Sequence, residues 1–172
     1  MLLIFDLDGT LFQAKPIVER VGTDASQPGY SELLDRTIFE HGKLFSGVQE
    51  MLIQLHSSGY ELVICSKSSM EYIRLVLMHT GISEFFTQYY SSESYASKAE
   101  LVSKITTPET PSVVIGDTHG DISAASENGL PSIAVMYGYG NKSMLNHADY
   151  FADTPAEIIT CIEKLLANHR CP

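Results

Sequence analysis

Hydrophobic and polar positions along this chain fall into two alternating patterns. Four short apolar runs, residues 2–5 (LLIF), 61–65 (ELVIC), 112–115 (SVVI) and 132–136 (SIAVM), are rich in Leu, Ile and Val and lack strict alternation. That is the signature of strands covered on both faces. Between them the spacing becomes helical. Residues 47–58 set Val48, Met51, Leu52 and Leu55 on one face before Gly59, and 68–80 repeat this with Ile73, Val76 and Leu77 before Gly81. A glycine just past the last periodic residue stops a helix. Shorter helices are predicted over 97–106, 119–128 and 155–168. Strand alternating with helix predicts a three-layer, Rossmann-like parallel α/β sheet with helices on both faces.

Residues 13–46 break that rhythm. Two helical pieces, about 15–21 and 30–41, are joined by the Gly/Pro-containing TDASQPG. So short a stretch buries too little apolar surface for a core of its own. The expectation is one domain over 1–172, its core about 1–12 and 45–172, with a small helical insertion at about 13–44.

Composition narrows the partners. The 172 residues carry 11 Lys and Arg against 21 Asp and Glu, a net charge of −10, without acidic blocks. Nonspecific nucleic-acid binding depends on Lys/Arg contacts to phosphates, so no nucleic-acid partner is expected. Attraction for an anionic substrate must then be local, from a metal, a lysine or a helix N-terminus. Cys65, Cys161 and Cys171 show no metal-type spacing, and their odd number argues against a disulfide framework. A reducing, cytoplasmic location is the expectation. The opening LLIF is too short and lacks the basic flank of a secretory signal. No run approaches the roughly 18 apolar residues of a membrane span, so no membrane partner is expected.

The strand ends share a feature. Asp6 follows LLIF directly, with Asp8 two residues on before Gly9-Thr10; Ser66 follows ELVIC; Asp117 and Asp121 follow SVVIG. Each alone reads as a turn residue. In an open parallel sheet, however, the carboxyl ends of the strands form one edge, where ligands bind. Two carboxylates about 4 Å apart repel by roughly 4 kcal/mol at an effective dielectric of 20. A cluster of them needs a shared cation, and Mg²⁺ suits oxygen ligands beside phosphate oxygens.

Together DLDGT at 6–10, the apolar-Ser pair at 65–66, the lysine in SKAEL at 97–101 and GDTHGD at 116–121 resemble, in order, the four motifs of haloacid dehalogenase-like hydrolases. Residues 113–140 and the stretch from GVQEML to CSKSS resemble the phosphoglycolate phosphatase-like branch. The resemblance implies a phosphatase acting on a small phosphate monoester through an aspartyl-phosphate. Asp6 is then the nucleophile and Asp8 the general acid–base. Ser66 binds a phosphoryl oxygen, with Gly9 in the phosphate-binding set, and Lys98 balances charge on Asp6 and phosphate; Lys67, next to Ser66, reads as a surface residue or as a phosphate-binding residue at the pocket rim. Mg²⁺ is held by Asp6, the Asp8 backbone carbonyl and Asp117, with Asp121 acting through water. Asp8 argues for phosphate hydrolysis or phosphomutase chemistry, because dehalogenases lack this acid. A catalytically silent binding or regulatory module is the third reading.

Other residues stay open at this stage. Lys104 rivals Lys98, and the Tyr137–Gly140 loop is placed equally at a pocket edge or in a purely structural turn. His119 varies in the family, and the remaining histidines, His41, His56, His79, His147 and His169, read as surface. The insertion is expected to form a cap, with Arg20, Arg36 and Lys43 its candidates for reading an anionic leaving group. So short a cap either leaves the site open to large substrates or closes over a small ester.

Overall fold

The computed structural model describes residues 1–168. Six strands form one sheet in the order β3-β2-β1-β4-β5-β6, every neighbouring pair parallel. They are β1 (Leu2–Phe5), β2 (Glu61–Ser66), β3 (Gln88–Ser91), β4 (Ser112–Gly116), β5 (Ser132–Val135) and β6 (Tyr150–Ala152). The helices are α1 (Lys15–Val21), α2 (Tyr30–His41), α3 (Val48–Ser57), α4 (Met70–Thr80), α5 (Lys98–Ile105), α6 (His119–Glu127) and α7 (Pro155–Asn168). This is the Rossmann-like three-layer α/β arrangement expected from the sequence.

Alternate residues of each central strand face opposite layers. Leu3, Phe5, Ile64 and Ile115 belong to the cluster that includes Met51, Val76 and Ile162 from α3, α4 and α7. Leu2, Ile4, Val63 and Val114 pack instead with Leu101 and Val102 of α5 and Ala124 and Ala125 of α6. Both sets are buried, which is why the apolar runs lack alternation. Fully burying one such side chain contributes roughly 1.5–3 kcal/mol.

Two strands departed from expectation. β3 and β6 lie at the sheet edges, and their sequences, QYYS and YFA, are only partly buried. An edge strand needs no continuous apolar run, so periodicity gives little signal there. The four inner strands and all seven helices fall where the pattern put them, within two residues at each end.

The 13–44 stretch leaves and rejoins the body at one neck. Phe12 and Leu44 make an isolated antiparallel bridge. The Gln13 N–H donates to Lys43 O at 2.9 Å, and the Phe45 N–H to Leu11 O at 3.0 Å. Between these ends α1 packs on α2, and Ile17, Val21 and Ile38 join the main core cluster.

Candidate active site

Order 3-2-1-4 puts β1 between the first two strands to diverge in connection, so the ends of β1, β2 and β4 meet at the point where such sheets open a crevice. β1 delivers Asp6, whose N–H still donates to Ile115 O of β4 at 2.9 Å. The chain then turns at Gly9, with φ of 85°. A Cβ there would overlap the Asp117 carboxylate, so only glycine fits. The Gly9 N–H donates to Phe12 O at 2.9 Å inside the turn. Gly9 was expected in the phosphate-binding set; its N–H is committed elsewhere, and what it contributes is room for Asp117.

β2 delivers Ser66, buried, whose Oγ accepts the Ser68 N–H at 3.1 Å. Ser69 caps α4 by accepting the Tyr72 N–H at 3.2 Å. That start places two side chains on Asp8: Ser68 Oγ donates to Oδ2 at 2.7 Å and Tyr72 Oη to Oδ1 at 2.8 Å. Neither residue was singled out in the sequence. The available signal was position: Ser68 lies in the turn that follows Ser66, and Tyr72 in the first turn of α4.

Ser97 caps α5 through the Glu100 N–H at 3.1 Å, which sets Lys98 as the first helical residue. Lys98 is 5% exposed. Its Nζ donates to Asp6 Oδ1 at 2.6 Å and to Asp121 Oδ1 at 2.5 Å. Lys104, six residues on, is exposed and away from this cluster. Asp121 sits in the first turn of α6, where its Oδ2 accepts the Thr118 N–H at 2.9 Å and Thr118 Oγ1 at 2.7 Å in a capping box. Asp117 Oδ2 accepts the N–H groups of Tyr139 and Gly140 at 2.7 and 3.0 Å, and its Oδ1 accepts Thr10 Oγ1 at 3.3 Å. The 137–140 loop therefore belongs to the site through its backbone.

Oxygens of Asp6, Asp117 and Asp121 all lie within 4.8 Å of one another. Three carboxylates against Lys98 leave a formal charge of −2. Burial pushes the Asp6 carboxyl up to about 8, against the pull of Lys98 and with the repulsion of Asp121 added. Burial likewise raises Asp8, opposed by the hydrogen bonds from Ser68 and Tyr72, and raises Asp117, opposed by the Tyr139 and Gly140 N–H groups. For Lys98, burial favours the neutral amine, but Asp121 and Asp6 outweigh it and hold the ammonium above its ordinary range. Raised carboxyls beside an all-oxygen donor set mark a site short of positive charge. A divalent cation fits it in charge and ligand type. Asp121 has both oxygens engaged, by Lys98 and Thr118, which suits holding the lysine and acting through water.

The remaining candidates lie outside this cluster. Lys67 is exposed, and a Cβ on Gly120 would lie 3.4 Å from its Nζ, so the amine leans toward the start of α6. His119 is exposed and paired with Ser123 Oγ at 3.1 Å. His41, His56 and His147 are exposed, whereas His79 departs from the surface reading: it is half-buried, with Nε2 3.2 Å from Gly42 O. Arg20, Arg36 and Lys43 are exposed. Cys65 and Cys161 are buried and free; Cys171 and His169 lie outside the described residues.

Fold and site define a Rossmann-like protein with a buried carboxylate cluster tied together by one lysine at the carboxyl edge of its sheet. The family model of haloacid dehalogenase-like hydrolases matches residues 25–135, well over half the chain, and the chain belongs to that family. The matched span contains Ser66, Lys98, Asp117 and Asp121 and begins after Asp6 and Asp8. A phosphoglycolate phosphatase of Synechococcus elongatus is 28% identical over 167 residues, covering 90% of this chain and 78% of the relative. One from Vibrio vulnificus is 25% identical over 142 residues, covering 77% of this chain and 62% of the relative. The chain thus spans under two thirds of the second relative's length. A haloacid dehalogenase-like family hydrolase from Streptococcus pneumoniae superposes with a TM-score of 0.72 at 25% identity, over 94% of this chain and 97% of that one. No helix among the described residues is long and apolar enough to cross a membrane.

Proposed function

We propose that this chain is a Mg²⁺-dependent phosphatase that hydrolyses a small phosphate monoester through an aspartyl-phosphate on Asp6. The observation that carries the reading is the bridge from Lys98 to both Asp6 and Asp121, with Asp8 held two residues along by Ser68 and Tyr72. A buried lysine bonded to two carboxylates has no surface role, and it sits where charge on an attacking carboxylate and a phosphoryl group must be balanced.

A carboxylate oxygen of Asp6 attacks phosphorus while the bond to the leaving oxygen breaks, and Asp8 supplies that oxygen with its proton. Burial holds the Asp8 carboxyl above its usual range, which favours the protonated form needed for that step. Water then attacks the phosphorus, Asp8 takes the water's proton, and the bond to Asp6 breaks, releasing inorganic phosphate and restoring the carboxylate. Ser66 Oγ, which accepts from the Ser68 N–H, keeps its own proton to donate to a phosphoryl oxygen. Asp6, Asp117 and the Asp8 carbonyl would hold Mg²⁺, with Asp121 acting through water. When bound, the ion supplies positive charge against the phosphoryl oxygens. Helices α1 and α2 serve as the cap over this edge.

The test is phosphate release from a panel of phosphate monoesters, phosphoglycolate among them, with Mg²⁺ and with EDTA. Turnover is expected with Mg²⁺ and abolished by chelation. Asp6→Asn should lower kcat by at least ~10³-fold, because an amide is no nucleophile here. Unchanged turnover in that variant refutes the mechanism.

A further inference from the structure

A cleft of about 480 Å³ opens from Asp8 into the space between the insertion and the body. In the phosphatase reading, on which this inference rests, Asp8 protonates the leaving oxygen, so this cleft receives the leaving group. Its walls differ in character. The insertion contributes apolar Ile17, Val18 and Val21 from α1 and Leu34 from α2, a mostly carbon wall interrupted by the hydroxyls of Thr23 and Tyr30. The body contributes Ser68, Ser69, Tyr72 and Glu93 beside Asp8.

Charge in the cleft is lopsided. Lys67 is the one cation among its described lining residues, and it leans to Gly120 at the phosphate end, next to Ser66. Lys15, Arg20, Arg36 and Lys43 are exposed, and none lines the cleft. A carboxylate on the leaving group would meet no cation along the insertion's wall, with Asp8 and Glu93 as like-charged neighbours. Size points the same way. Clefts of roughly 300–1,000 Å³ take ring-sized ligands, and a two-carbon acid leaves most of this one empty. Ser68 and Ser69 hydroxyls and the Glu93 carboxylate can hydrogen-bond hydroxyl or N–H groups on one side of such a ring, while the α1–α2 wall covers the other.

We infer that the substrate is a phosphate monoester of an uncharged, ring-sized alcohol with one apolar face, and that the site discriminates against carboxylate-bearing leaving groups such as glycolate. The experiment compares kcat/KM for benzyl phosphate and phosphoglycolate with Mg²⁺ present. Both are esters of primary alcohols, CH₂–O–P, and in both the P–O bond breaks, so intrinsic reactivity differs little. Benzyl phosphate is expected to be preferred by at least ~30-fold. Val18 is 44% exposed and lies on the cleft wall. Val18→Arg is expected to cut that preference about tenfold by gaining on phosphoglycolate, while Val18→Leu retains it. Equal or better use of phosphoglycolate by the unaltered protein overturns the inference, as does a ratio unmoved by Val18→Arg. Turnover of both esters with the wrong ratio strikes the specificity alone. No phosphate release from any ester strikes the phosphatase reading, and the specificity falls with it.

Discussion

Replacing Lys98 by methionine removes one charge and almost no volume from the centre of the site. Lys98 is 5% exposed and bonded to two carboxylates, themselves buried, at 2.6 and 2.5 Å. Deleting one partner of a buried pair leaves an uncompensated charge, a loss of about 3–5 kcal/mol. The pH dependence separates this from a packing defect. Burial pushes the Asp6 carboxyl up to about 8, with Lys98 pulling it down. Lys98→Met removes that pull, so the folded variant keeps the Asp6 proton at pH values where the parent has released it. The unfolded chains of both have released it above about pH 4. The variant's folded state then binds the extra proton, so its stability falls faster with pH, by about 1.4 kcal/mol per unit for one whole proton. Urea unfolding in EDTA at pH 7 and pH 9 should show a destabilisation of about 3–5 kcal/mol that widens by roughly 1 kcal/mol at the higher pH. A loss below about 1 kcal/mol, or one that does not change with pH, refutes the picture of Lys98 as the counter-charge of this cluster.

Two further outcomes follow from the same geometry. With Asp6 raised to about 8, the metal-free folded state binds more protons than the unfolded chain between about pH 4 and 8. Stability in EDTA should therefore fall as pH rises through that window, and Mg²⁺ should raise Tm more at pH 8 than at pH 5.5; an equal or larger shift at pH 5.5 contradicts it. Gly138→Ala places a Cβ against the Asp117 side chain and the Gly9 carbonyl. It should cost about 1–3 kcal/mol by urea unfolding and weaken the Mg²⁺-induced rise in Tm, whereas full retention of both means the loop relaxes freely.

The inner strands and the site carboxylates were legible for one reason: in a doubly covered parallel sheet, each strand is an unbroken apolar run and the polar residue that ends it is conspicuous. Asp6, Ser66 and Asp117 sit at such breaks. Lys98 was legible by its place at a helix start, and its separation from Lys104 needed coordinates, because sequence gives no measure of which lysine is enclosed. Ser68, Tyr72 and Thr10 were not legible. Their contribution is a hydrogen bond across 60, 64 and 107 residues of chain respectively, and no local pattern encodes such a pairing. The edge strands β3 and β6 carry no apolar run of their own, because half-exposed backbone tolerates polar and aromatic residues. Gly9 is the converse case: its turn is legible from sequence, while the commitment of its N–H to Phe12 O, which bears on the phosphate-binding expectation, shows only in the fold.

The insertion and the carboxylate cluster are not independent parts. The Tyr139 and Gly140 N–H groups hold Asp117, and Tyr137 Oη donates to Thr10 O at 2.9 Å in the turn after Asp8. The rings of Tyr137 and Tyr139 pack 5.0 and 5.7 Å from that of Phe45, which follows Leu44 at the insertion's neck. One four-residue loop thus touches the neck with its side chains and the cluster with its backbone. Both ends of the segment that carries α1 and α2 pass through the Phe12–Leu44 bridge. Phe45 therefore touches the loop whose backbone holds Asp117. Placement of the wall that receives the leaving group and placement of the oxygens that balance the phosphoryl charge are therefore fixed by shared contacts, and a substitution at Phe45 acts on both at once.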